Sequence, residues 1–115
     1  MITFKTKFGV YFNTCDELKL FNQSLYKIIK NPASVNFSEK DFTPDQWDTI
    51  NGIWSLTKKG SFFELDMPEQ VNNLFSIIDI VKNRRKNAGF KKLDFTAPEL
   101  KIWDELYELL PKEEI

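Results

Sequence analysis

Six cations, Lys82, Arg84, Arg85, Lys86, Lys91 and Lys92, fall within residues 82–92 with no acid among them. Arginine grips a phosphate or carboxylate through paired hydrogen bonds, and lysine adds a compact point charge. Such a block attracts nucleic-acid phosphates or an acidic protein surface. Lys5, Lys7 and Tyr11 add basic and aromatic positions near the N-terminus, a surface on which single-stranded nucleic acid can stack. These nine residues are the candidate phosphate- or partner-binding set. A plainer role competes with binding. Lys82 to Lys86 close a helical pattern where the dipole favours cations. Residues 94–115 also carry seven acids against two lysines, which can offset the block within the fold. If binding is the role, Arg84→Glu with Arg85→Glu leaves folding nearly intact. If balance is the role, that change unfolds the chain.

Other chemistry is sparse. The chain has no histidine and one cysteine, Cys15. Ser-His-Asp and Cys-His catalysis, an intrachain disulfide and an intrachain structural zinc site therefore have no residues to use. The four glycines stand alone at 9, 52, 60 and 89, so no phosphate-cradling glycine loop can be written. Glu64, Asp66 and Glu69 flank a strand-to-helix junction and have the oxygen chemistry of a Mg²⁺ site. Their alternation reads better as a solvated strand face and a dipole-matched helix start. Asp104, Glu105 and Glu108 read as the polar side of the last helix rather than as a glycosidase pair. Cys15 has no activating partner in sequence. The expectation is a chain that is not an enzyme and binds no cofactor or metal. A metal-dependent enzyme using carboxylates is the least favoured alternative.

Aromatic residues are plentiful. Trp47, Trp54, Trp103, Phe62, Tyr11, Tyr26 and Tyr107 are many large groups for one small core. Tryptophan and tyrosine dominate interface hot spots, so part of this set can dock a protein partner or a second copy of the chain.

The elements that must position these residues follow from periodicity. Helices are expected near 15–30, 44–58, 68–88 and 97–110, each with start signals. The helix over 68–88 carries Val71, Leu74, Phe75, Ile78 and Val81 at helical spacing, widened by Ile77 and Ile80, and is expected to be the centre of the core. Residues 2–12 alternate as a strand, with Gly9 as a bulge or a turn that splits it into a hairpin. Residues 61–67 alternate as a second strand, and Phe62 on its polar side suggests cover on both faces. Short strands at 33–37 and 90–95 are further expectations. The fold class is α+β: about four helices with a small, mostly antiparallel sheet. An all-α bundle with an N-terminal arm is the alternative.

At 115 residues the chain is expected to form one domain. Hydrophobic residues at 42% and charged residues at 29% suit a globular protein. Net charge of −1 argues against coating nucleic acid through overall charge. No apolar run suits a membrane span, and the first residues alternate rather than forming a signal sequence, so a cytoplasmic setting is expected.

One local pattern occurs twice. Asp41-Phe42-Thr43-Pro44 and Asp94-Phe95-Thr96-Ala97-Pro98 each precede a helix with a Trp-Asp pair, Trp47-Asp48 and Trp103-Asp104. The intervening segments do not match, so a repeated phenylalanine staple and threonine cap explains it better than duplication. The leading functional expectation is a non-catalytic protein-binding module, such as an inhibitor, immunity protein, antitoxin or accessory factor of a phage or mobile element. Nucleic-acid binding through residues 82–92 is second.

Overall fold

Three threonines begin helices by the same device. In a computed structural model, which describes residues 2–5, 9–87 and 94–110, Thr14, Thr43 and Thr96 form reciprocal capping boxes with Glu17, Gln46 and Glu99. Each threonine hydroxyl accepts the amide three residues on, and that residue's side chain accepts the threonine's own amide. The helices are α1 (Cys15–Lys30), α2 (Pro44–Leu56), α3 (Pro68–Asn87) and α4 (Ala97–Glu108). Pro44 and Pro68 occupy first-turn positions, where proline removes no needed N–H.

The strands are β1 (Thr3–Lys5), β2 (Gly9–Tyr11) and β3 (Phe62–Glu64). They form one antiparallel sheet in the order β1-β2-β3, with Phe4 opposite Val10 and Val10 opposite Phe63. The fold is therefore α+β, and the all-α alternative fails because the N-terminal residues pair. The single strand expected over 2–12 is a hairpin. Gly9 is not its turn: it opens β2, paired with Lys5 and Glu64. The strand at 61–67 shortens to 62–64. Phe62 is not covered on both sides, being 48% exposed and stacked on Tyr11 at 5.0 Å.

The expected strand at 33–37 is a 3₁₀ turn, Pro32–Val35, followed by another at Glu39–Asp41. Pro32 sits in the first turn, and Asn36 takes a left-handed φ of 68°, which ends any extended run. Val35 and Phe37 are nonetheless both buried. Alternate burial through a turn thus imitated strand periodicity. Of the expected strand at 90–95, residues 90–93 lie outside the described residues, and Asp94 and Phe95 are not in a strand.

The helices close a cycle: α1 packs on α2 and α4, and α3 packs on the same two. Their buried faces are Leu18, Phe21, Leu25 and Ile28 of α1, Ile50 and Ile53 of α2, and Leu74, Ile77, Ile78 and Val81 of α3. Ile102, Trp103 and Leu106 of α4 complete them, and Val10, Phe12 and Phe63 add the sheet. Each such side chain contributes about 1.5–3 kcal/mol on leaving water. The stripe on α3 is rotated from the expected one: Val71 and Phe75 are only half-buried. The aromatic hub lies on α1 instead. Phe21 meets Phe12, Phe63 and Trp103 at centroid distances of 5.5, 5.9 and 5.1 Å.

Candidate functional site

The basic block was the first candidate, and its described side chains are engaged within the fold. Lys82 Nζ donates to Asp104 Oδ1 at 3.1 Å, and Arg85 donates to the same oxygen. Arg84 donates to Oδ1 of Asp41, a largely buried carboxylate. Partial burial pushes the Asp104 carboxyl up, but hydrogen bonds and charges from Arg85 and Lys82 outweigh it and hold the group below its ordinary value of about 3.8. Lys82 also lies 5.4 Å from the Tyr107 ring centroid. These pairs tie the end of α3 to α4 and to the Glu39–Asp41 turn, so Arg84 and Arg85 are structural partners of acids rather than a free positive surface. Lys86 is placed as a backbone position in α3, and Lys91 and Lys92 lie outside the described residues.

The N-terminal set is likewise divided. Lys5 is a backbone position in β1, and Lys7 lies outside the described residues. Tyr11 stacks on Phe62 and donates to Glu64 Oε1 at 3.3 Å. The carboxylates of Glu64, Asp66 and Glu69 do not converge: among the described residues no group of three or more ligating side chains could hold a metal ion. Trp103, expected among the surplus surface aromatics, is a core residue, 2% exposed. Its Nε1 donates to Ser24 Oγ at 2.9 Å.

Tyr26, Trp47 and Trp54 assemble elsewhere, along the seam between α1 and α2. On α1, Lys19, Asn22, Tyr26 and Lys30 recur at helical spacing; on α2, Trp47, Asn51 and Trp54 do the same, and Lys58 follows just past the end of that helix. The two rows face each other antiparallel. Asn22 Nδ2 donates to the Trp54 carbonyl and to Thr57 Oγ1, both at 2.8 Å. Next along the seam, Tyr26 stacks on Trp54 at 5.8 Å. Lys58 Nζ lies 4.3 Å from the Trp54 ring centroid, a position that fixes the lysine by cation–π attraction.

A concavity lies at each end of this stack. One, about 720 Å³, joins the end of α1 to the start of α2 through Ile29, Lys30, Phe42, Trp47, Asp48 and Asn51. Trp47 is half-buried there, packed edge-on against Phe42 at 4.9 Å, and its Nε1 donates to the Glu39 carbonyl at 3.0 Å. The Phe42–Trp47 contact is a hydrophobic staple in the expected position. The other concavity, about 450 Å³, joins the start of α1 to the residues after α2 through Cys15, Lys19, Asn22, Gln23, Lys58 and Lys59. Gly60, with φ of 90°, turns the chain there toward β3.

Sequence reasoning named Trp47, Trp54 and Tyr26 but not their convergence, and it treated Lys58 and Lys59 only as helix-end residues. The available signal was the polar-aromatic row at i, i+3 and i+4 flanking the apolar stripe of α1. The ion pair between Lys27 Nζ and Glu99 Oε1, at 2.6 Å, was also missed. Among the described residues, no helix is long and apolar enough to cross a membrane. No protein-family model, curated protein or solved structure matches the chain.

Proposed function

We propose that the chain is a non-catalytic protein-binding module, of the inhibitor or immunity-protein kind, whose partner docks on the α1/α2 seam. One observation carries this reading: Tyr26, Trp54 and Trp47 line a two-helix seam open to solvent, with Tyr26 46% exposed, between two concavities. Tryptophan and tyrosine in partly desolvated pockets are the residues from which interface hot spots are built. They bring large rigid area at a cost of few rotatable bonds. The engagement of Lys82, Arg84 and Arg85 by Asp104 and Asp41 leaves less free charge for phosphate, which favours a protein partner over nucleic acid. A reducing, cytoplasmic setting suits the exposed lone cysteine.

The test compares the full chain with Tyr26→Ala/Trp54→Ala as bait in lysate of the source cells. Far-UV circular dichroism and melting first establish that both are folded. A protein retained by the wild type and lost from the variant is the expected result. An unchanged set of retained proteins overturns the seam as the interface.

A further inference from the structure

The two ends of the seam differ in charge, and the difference selects a partner. At the α1 N-terminal end, Lys19, Lys58 and Lys59 border the concavity against Asp16 alone. None of these lysines has a carboxylate within ion-pairing distance among the described residues, unlike Lys82, Arg84 and Arg85. Lys58 is held over the Trp54 ring, so its head group is partly positioned in advance. The first turn of α1 adds the positive end of its dipole. At the other end, Ile29, Pro32, Phe42, Pro44 and Trp47 make an apolar wall, and the charged rim is mixed, with Glu39 and Asp48 beside Lys30.

Resting on the protein-binding reading above, we infer that the seam takes one segment of a partner protein, acidic at the end that meets Lys19, Lys58 and Lys59 and apolar at the end that enters the Trp47 cleft. A nucleic acid fits this surface poorly. Its charge is uniform along the strand, so phosphates following the groove from the lysines would run into Glu39 and Asp48. A protein segment can change character between its ends. From Lys19 to Lys30 the seam spans about 17 Å at the helical rise, which is three turns of a bound helix or a short extended strand. Either form presents an acidic end and an apolar anchor at that separation.

The experiment uses the full chain and peptides of known sequence. A displayed library of random peptides is panned on it, and enriched peptides are synthesised. Their Kd is read from a fluorophore on Cys15, which borders the lysine end. The expected result is enrichment of peptides with Asp or Glu at one end and Trp, Phe or Leu at the other. Their Kd rises by about tenfold or more in Lys58→Glu/Lys59→Glu and recovers when the peptide acids become lysine. Peptides without acidic bias, or a Kd unmoved by the charge reversal, overturn the inference. If such peptides still lose binding in Tyr26→Ala/Trp54→Ala, the seam remains the protein-binding face and only the partner chemistry is wrong. If they do not, both readings fall. A library that yields no binder overturns the inference. So does a different occupant: a short oligothymidylate displacing the peptides, or self-association in sedimentation that Tyr26→Ala/Trp54→Ala abolishes.

Discussion

Asp41-Phe42-Thr43-Pro44 leads into α2 and Asp94-Phe95-Thr96-Ala97-Pro98 into α4, and in both the phenylalanine is buried and the threonine caps the helix. Beyond the cap the two helices diverge. Trp47 follows its threonine by four residues and packs on Phe42 at the edge of an open cleft. Trp103 follows its threonine by seven and enters the core, against Phe21. The third box residue is neutral Gln46 in α2 and the fully buried Glu99 in α4, paired with Lys27 of α1. The acid after each tryptophan differs too: Asp48 is exposed, whereas Asp104 receives Lys82 and Arg85. A shared start signal therefore says how a helix begins, not what its later residues do. Here one tryptophan is buried in the core and the other borders an open cleft.

The sharpest way to break this contrast is to delete the tryptophans. Trp103→Ala empties a close-packed site and leaves Ser24 Oγ without its indole donor, so a loss of about 3–5 kcal/mol is expected in urea unfolding. Trp47→Ala removes a half-buried ring and one hydrogen bond to a turn carbonyl, and about 1–2 kcal/mol is expected. Equal losses would mean that Trp47 is as structural as Trp103, and the case for a binding seam would weaken accordingly.

A smaller difference is expected at the third box residues. Glu99→Gln keeps an oxygen for the Thr96 amide but removes the charge that holds Lys27, whose ammonium also donates to the Asp94 carbonyl at 2.8 Å. Lys27 is partly open to water, so a loss of about 1–3 kcal/mol is expected rather than the full cost of a stranded buried charge. Gln46→Glu adds an acid at a helix start on the surface and should change stability by no more than about 0.5 kcal/mol. Thermal melts of the two variants together check the pair. A harmless Glu99→Gln would show that the α1–α4 clamp is packing alone.

The local rules were legible in the sequence because they depend on neighbours. The caps at Thr14, Thr43 and Thr96, the helix over 15–30 and the Phe42 staple need only a few adjacent residues to be recognised. Long-range placement was not legible. Nothing near Trp103 says that Ser24, far away in sequence, accepts its N–H, and nothing near Arg84 names Asp41 as its partner. Residues 33–37 misled because burial of Val35 and Phe37 has the period of a strand while the backbone turns at Asn36. The candidate site was half visible. The exposed-side row Lys19, Asn22, Tyr26, Lys30 could be read from α1. Its pairing with Trp47, Asn51, Trp54 and Lys58 needed the packing of two helices.

The smallest effect separates the two aspartates that follow the tryptophans. Arg85 and Lys82 hold the Asp104 carboxyl below its ordinary value of about 3.8. A carboxyl whose pKa is lower folded than unfolded binds fewer protons in the folded state around that pH. The stability it contributes is therefore fully present above the ordinary value and is lost as pH falls through the lowered one. Asp104→Asn removes this contribution, so the gap between wild type and variant should be widest near neutral pH and close as pH falls below the ordinary carboxylate range. The gap should also narrow in high salt, because the carboxylate is nearly half exposed and its charges are open to screening. Asp48→Asn, on the exposed side of α2, should stay within about 0.5 kcal/mol of wild type at neutral pH. Melting temperatures of the three proteins across pH decide the matter. A gap for Asp104→Asn that does not change with pH would mean that the charge of Asp104 is not what stabilises this junction.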